Sequence, residues 1–440
     1  MKSASFLYAL ALVLLPFSYA VKGMLLIFNI PWIDPSLILG LIVFALIGAP
    51  IKDKRALWII VWAFLSAYIG SFFLGVTAHT IDRPKSPLYI LYVEPCRLAL
   101  NIVWFWVSIK FFTEKRDFVI RWLAISVAIQ LSIAIYLYLG LYGLTQVPGT
   151  VALYLYIYTG RQTLWFGDSP LYRMAGTFDE SPPFGLFMFS CFVIFILWLV
   201  MRTNFPKRHK KWAILGGIVS FVGAVASLSD QVLLAIAIFG TTWYFGTRLE
   251  LTGNKRIYRS AEAILAIALI LGVSGYAISR VIAKGEEAAA YRETSTTDVE
   301  GTSGAERAFH LRYALERFEE VPLAIWTGIG PGRYGDYAFR TGLFAPTVTI
   351  QNMPLTWLVE YGLLGSALIC AWLWHIFKRA KGTYAALAAG ALVSLLVAAI
   401  SQANWLWEGW FLALAFLYSS SREAGSVGYL ASQSHARPVQ

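Results

Sequence analysis

Apolar runs of about twenty residues recur from end to end of this chain, and each is long enough to cross a hydrocarbon core of about 30 Å as a helix. No other feature limits the fold as much. A backbone in lipid must satisfy its own hydrogen bonds, which leaves helices or a closed barrel. A barrel would alternate apolar and polar residues over segments of about ten, whereas these runs are continuous. Of the 440 residues, 58% are hydrophobic and 14% charged; soluble domains are charged at about a quarter of their positions. The expected fold is an all-α polytopic membrane protein. About twelve transmembrane helices are expected, centred near residues 13, 42, 65, 101, 130, 193, 220, 239, 271, 365, 391 and 412.

Basic punctuation sets the orientation. "KDKR", "TEKRD", "KRHKK", "TGNKRIYR" and "KRAKG" follow the second, fourth, sixth, eighth and tenth runs, and Lys and Arg collect on cytoplasmic loops. Both termini are therefore expected in the cytoplasm. The net charge of +11 follows from the same rule and calls for no nucleic-acid partner. The opening "MKSASFLYALALVLLPFSYA" mimics a secretory signal, but apolar sequence continues through "MLLIFNI", which favours an uncleaved first span. Cys96, Cys191 and Cys370 lack the paired spacing of a disulfide framework or a zinc site.

The chain divides into residues 1–282, with nine spans and an outer loop at about 143–183; a large outer loop at 283–352; three spans in 353–420; and a small-residue, polar tail at 421–440 that reads as disordered. Loops of more than about 15 residues are uncommon unless functional or disordered. These two are rich in aromatic residues, so function and short helices are expected in them. No internal repeat is visible.

The outer charges are chemically biased. Arg83, Arg161, Arg173, Arg292, Arg307, Arg312, Arg317, Arg333 and Arg340 stand there against little more than Lys85 and Lys284. Topology does not distinguish Lys from Arg, but a guanidinium forks onto phosphate oxygens and keeps its charge when partly buried. Pairing with the loop's own acids, such as Glu286, Glu293 and Glu320, is the competing explanation for any one of them. In "RAFHLRYALER", a helix places Arg307, His310, Ala314 and Arg317 within an arc of about 80°. Arg307 and Arg317 can then converge on one anion beside His310. Arg312 points elsewhere and suits an ion pair with Glu316. Downstream, "GIGPGRYGDY" is a glycine-rich turn whose backbone can approach a ligand closely. It lacks the Lys-Ser/Thr ending of a nucleotide phosphate loop.

The stretch from Arg307 through "ALERFEEVPLAIWTGIGPGRYGDY", then "QNMPLTWLVEYGLLG", resembles the bacterial O-antigen ligase and O-antigen polymerase superfamily. Its members carry an Arg before a short helix, a Gly-x-Gly turn and an Asn-containing segment ending in Glu-x-Gly-x-x-Gly. "YRMAGTFDESPPFGLFM" is similar to the family's Gly-Thr-Phe segment. The resemblance implies a multi-pass glycosyltransferase of the inner membrane, with no cofactor. It would take glycan from an undecaprenyl diphosphate donor on the periplasmic face and pass it to an acceptor: a lipid-linked repeat unit in polymerases, the lipid A core in ligases. A chain-length regulator is a possible partner of such polymerases. Arg307 falls on the arginine expected to hold the diphosphate, and Arg173 is next by position. Ligases carry a His where this chain has Gln351, and many members an Arg where it has Asp230. The first departure points to a polymerase, and the second to redistributed diphosphate contacts.

Such a reaction needs charge stabilised on the leaving diphosphate and an acceptor hydroxyl aligned for attack. Arginines supply the first without a metal, and Arg173, Arg307, Arg312, Arg317 and Arg333 form the expected diphosphate set. Asp34 and Asp82 read as turn residues rather than metal ligands. His310, Asp179, Glu180, Asp336 and Glu360 are the candidate bases. Glu360, inside the tenth run, is a functional candidate because ionisable groups in membranes are costly, with a helix-packing role as the alternative. Arg307, His310 and Glu360 make up the expected catalytic set. Trp165 and Trp326, with Asn352 and Asp336, make up the glycan-binding set, whereas Trp405, Trp407 and Trp410 read as an interfacial belt.

Two other readings compete. A transporter would show charges inside several spans and broken helices; Glu94, Arg97 and Glu360 are the main such charges visible. A protein-glycosylating member of the superfamily would need an outer groove for a polypeptide.

Overall fold

The computed structural model describes residues 2–17, 34–48, 51, 53–74, 87–146, 163–166, 169–172, 174–175, 178, 181–201, 207–251, 322–334, 352–380, 385–399 and 408–419. They form α1 (Lys2–Leu14, continued by a 3-10 turn Leu15–Phe17), α2 (Pro35–Ile47), α3 (Lys54–Leu74), α4 (Pro87–Glu114) and α5 (Arg116–Leu141). Next come α6 (Ser181–Met201), α7 (Lys207–Ala226), α8 (Asp230–Leu251), the short α9 (Pro322–Thr327), α10 (Met353–Ala380), α11 (Ala385–Ala399) and α12 (residues 408–419). The protein is thus overwhelmingly helical. Every expected span centre falls in one of these helices except the one near residue 271, which lies outside the described residues. Among the described residues, five helices are long and apolar enough to cross a membrane: Lys54–Phe72, Glu94–Glu114, Arg116–Leu141, Pro182–Val200 and Met353–Arg379. Shorter apolar helices cover Lys2–Phe17, Pro35–Ile47, Gln231–Trp243 and Leu387–Ala399.

One element departs from the all-α expectation. Thr163–Phe166 and Ser169–Tyr172 pair as an antiparallel hairpin, β1–β2, with Phe166 opposite Ser169. The two residues between those partners are Gly167 and Asp168, a composition favoured by two-residue hairpin loops.

Helix packing follows the membrane rule that small residues admit close neighbours where no hydrophobic drive exists between helices. Gly216 of α7 lies against the Phe195 ring of α6, Gly390 of α11 against Thr242 of α8, and Gly40 of α2 where a Cβ would stand 2.9 Å from Trp104 of α4. Aromatic contacts fill the centre. Phe105 of α4 meets Trp372 of α10 at 5.2 Å and Tyr418 of α12 at 5.8 Å. Tyr8 of α1 stacks on Phe111 at 4.0 Å and donates to Ser108 at 3.0 Å. Trp410 is 1% exposed and packs on Phe411, so it belongs to this core and not to the interfacial belt. Outward, Leu57, Trp58, Val61, Leu65, Tyr68 and Phe72 leave one long side of α3 apolar and exposed. A stripe of that kind suits lipid.

The two ends of the bundle differ. At one, Arg55 lies 2.7 Å from His375, Lys115 donates to Ser5 at 2.6 Å, and Arg379 sits over Tyr418. These are the residues that basic punctuation assigned to one side. The other end carries α9 and the helix termini that surround it.

Candidate functional site

The site is built on a break in α10. That helix starts at Asn352, whose Oδ1 accepts the Leu355 N–H at 3.0 Å, and is interrupted at Gly362, with φ 68° and ψ −175°. An α-helix bonds each carbonyl to the N–H four residues on, so a break at this point releases the carbonyls before it. Neighbouring segments take them up. The Val359 carbonyl accepts the Ile329 N–H at 2.9 Å, and that of Glu360 accepts the Gly330 N–H at 3.0 Å. Ser66 of α3 donates to the Glu360 carbonyl at 2.9 Å and to that of Thr327 at 2.6 Å, while Trp62 Nε1 donates to the Tyr361 carbonyl at 2.9 Å. Non-helical backbone at membrane depth is tolerated where protein satisfies it in this way.

The backbone donors, Ile329 and Gly330, come from the turn after α9, residues 328–334. Gly328, Gly330 and Gly332 all have positive φ (75°, 100° and 69°), a region that glycine enters without penalty. Each also faces something a side chain would strike: the Glu360 carbonyl for Gly328, the α3 backbone at Ala67 for Gly330, and Glu94 of α4 for Gly332. Gly365 in turn makes room for the Trp62 indole. The spacing Glu360, Gly362, Gly365 therefore has a mechanical meaning. The first residue holds the turn, the second breaks the helix, and the third lets α3 approach.

The Glu360 carboxylate completes the clasp by accepting the backbone N–H groups of Gly332 and Tyr334, with Glu94 close beside it. Arg333 is 5% exposed and donates through Nη2 to Ser71 of α3 at 2.6 Å, which fixes the turn from its other side. Trp326 on α9 is 54% exposed and free to meet a ligand. The structure thus brings Trp326, Arg333, Asn352 and Glu360 to one end of the bundle. Arg173, Arg307, His310, Arg312, Arg317 and Asp336, together with the side chain of Trp165, lie outside the described residues.

Sequence reasoning missed Ser66 and Trp62, polar groups within an apolar run, and Glu408, hidden among tryptophans. Asp34, read there as a turn residue, caps α2: its Oδ1 accepts from Ser36 N at 2.8 Å and Leu37 N at 3.4 Å. Comparison with protein-family models and with curated protein sequences returns no match.

The clasp predicts the effect of Glu360→Gln. An amide oxygen can keep one of the two backbone donors but turns an NH2 group toward the other. A buried donor left unpaired costs about 1–3 kcal/mol. The expected outcome is a lower unfolding temperature of the purified protein in detergent. A variant as stable as its parent would show that the carboxylate does not hold the turn.

Proposed function

We propose that this protein is a metal-independent membrane glycosyltransferase that passes glycan from undecaprenyl diphosphate to an acceptor sugar on the periplasmic face of the inner membrane, as an O-antigen or exopolysaccharide polymerase. In this reading the chain crosses about twelve times, with both termini in the cytoplasm. The observation that carries it is the clasp: two of the segments behind the family resemblance, "GIGPGR" and "EYGLLG", interlock through the Gly362 break. Residues chosen for a resemblance in sequence turn out to serve one mechanical purpose.

The clasp fixes α9 and the turn at one end of the bundle, and Arg307 and Arg317 precede Thr327 by no more than about twenty residues in the sequence. Their guanidinium groups would bind the diphosphate as negative charge develops on it. The acceptor hydroxyl oxygen bonds to the anomeric carbon, the bond to the diphosphate breaks, the electron pair leaves with the lipid carrier, and the hydroxyl proton passes to the departing diphosphate or to water. Arg333 and Glu360 shape the turn, and Trp326 offers an apolar face to a sugar ring.

Two observations favour a second reading, a transporter of lipid-linked oligosaccharide. A broken helix and buried ionisable groups are what transport sites are built from, and this structure has both. One experiment separates the readings: purified protein is incubated with undecaprenyl diphosphate repeat units, alone or with lipid A core. Laddered products without core are expected. Single transfer to core would mean a ligase, and no bond formation would favour transport.

A further inference from the structure

At the same end of the bundle, α2, α4 and α12 bring Asp34, Arg97 and Glu408 together, and all three are buried, at 4%, 8% and 1% exposure. Asp34 Oδ1 is committed to capping α2 and to the Ser36 hydroxyl at 2.6 Å. Asp34 Oδ2 has no donor among the described residues, and neither has either carboxyl oxygen of Glu408. The backbone carbonyl of Glu408 is held by Trp104 Nε1 at 3.2 Å, which fixes the start of α12 against α4. The two carboxyl groups lie within hydrogen-bonding reach of each other, and Arg97 is near enough to Glu408 to interact. Arg97 also stands 3.8 Å from Glu94 Oε1.

Two carboxylates that face each other without a donor between them cannot both be ionised in a low-dielectric interior. One proton placed between them resolves this: each oxygen gains a partner, and the pair keeps a single negative charge opposite the Arg97 guanidinium. A metal ion fits less well. Among the described residues no group of three or more His, Cys, Asp or Glu side chains is arranged to hold one, and Arg97 would repel it.

We propose that Asp34 and Glu408 form a proton-binding site, with one acid proton held between Asp34 Oδ2 and the Glu408 carboxyl and Arg97 balancing the remaining charge. Among the described residues, the charged groups facing the pair are Arg97 and, through it, Glu94 on α4. Glu94 borders Gly332 and Glu360, so the site is one ion pair away from the clasped turn. Loss of the proton leaves two negative charges competing with Glu94 for Arg97. The protonation state therefore bears on the turn.

The test reads the proton and not glycan transfer, so it stands apart from the proposed function. Infrared spectra of the full-length protein in lipid nanodiscs are recorded in H2O and D2O across a pH series. The expected spectrum at neutral pH contains the carbonyl band of an undissociated carboxyl, shifted in D2O and fading as pH rises. Asp34→Asn and Glu408→Gln should each remove it. Both keep side-chain shape, and asparagine caps a helix as well as aspartate does. Labelling the parent protein with 13C-glutamate should shift part of the band, which needs no variant to fold. Absence of the band in the folded parent, its survival in both variants, its loss in Glu360→Gln instead, or its removal by sodium at constant pH would each overturn the proposal.

Discussion

Gly362→Ala is expected to abolish assembly of the clasped end of the bundle and, with it, any activity. With φ 68° and ψ −175°, residue 362 occupies a region that is essentially glycine's own, and holding another residue there costs on the order of 1–3 kcal/mol. The added Cβ would also run into the Trp326 carbonyl and the Gly328 backbone nitrogen. Two escapes exist. If α10 straightens, the carbonyls of Val359, Glu360 and Tyr361 return to the helix and release Ile329, Gly330, Ser66 and Trp62. If it stays broken, α9 is pushed off the bundle. Either route gives up several hydrogen bonds at about 1 kcal/mol each, and together with the strain this rivals a total stability of about 5–15 kcal/mol. The measurement is the yield and unfolding temperature of protein purified in detergent. Gly240→Ala is the control, because that helical glycine has open space around it and alanine favours a helix by about 1 kcal/mol. A Gly362→Ala protein with the unfolding temperature of its parent would show that the break is dispensable.

The same clasp shows what was legible in the sequence and why the rest was not. Hydropathy locates helices because every turn must bury its backbone in lipid, and the span centres from residue 13 to residue 239 fall in helices on that ground alone. The glycines of "GIGPG" and "EYGLLG" also stand out, since a run of them in an apolar chain has few explanations. Periodicity does not say which helices adjoin. That Gly328 touches Glu360, or that Ser66 serves both blocks, depends on the lateral order of α3, α4 and α10. Asp34 is the clearest case. A helix cap accounts fully for an Asp before Pro35, so nothing local indicates that its carboxyl group lies beside Glu408, several hundred residues away. Glu408 was masked by Trp405, Trp407 and Trp410, for which an interfacial belt was the simpler explanation. The burial of Trp410 removes that explanation for Trp410 itself, and Trp405 and Trp407 lie outside the described residues. The hairpin is hard to read from sequence because two four-residue strands carry little signal beside runs of twenty.

Arg307→Lys should leave the protein folded and inserted while removing most glycan transfer. The two side chains carry the same charge, so long-range attraction of an anionic lipid is preserved. What is lost is the planar fork that meets two phosphate oxygens at once. A hydrogen bond to a charged group contributes about 1.5–3 kcal/mol, and each 1.36 kcal/mol on the barrier is tenfold in rate. The expected loss is therefore about tenfold to a hundredfold, and it should appear in kcat more than in KM. In the proposed reaction the charge that the fork would stabilise develops as the bond to the diphosphate breaks, and interactions made only in the transition state act on kcat. Initial rates on undecaprenyl diphosphate repeat units, with insertion and unfolding temperature measured on the same preparation, decide the matter. Transfer at the parental rate would remove Arg307 from the site. A rise in KM alone would make it a docking contact that does not distinguish ground state from transition state. Loss of insertion would place the residue in the fold, beside the ion pair expected of Arg312.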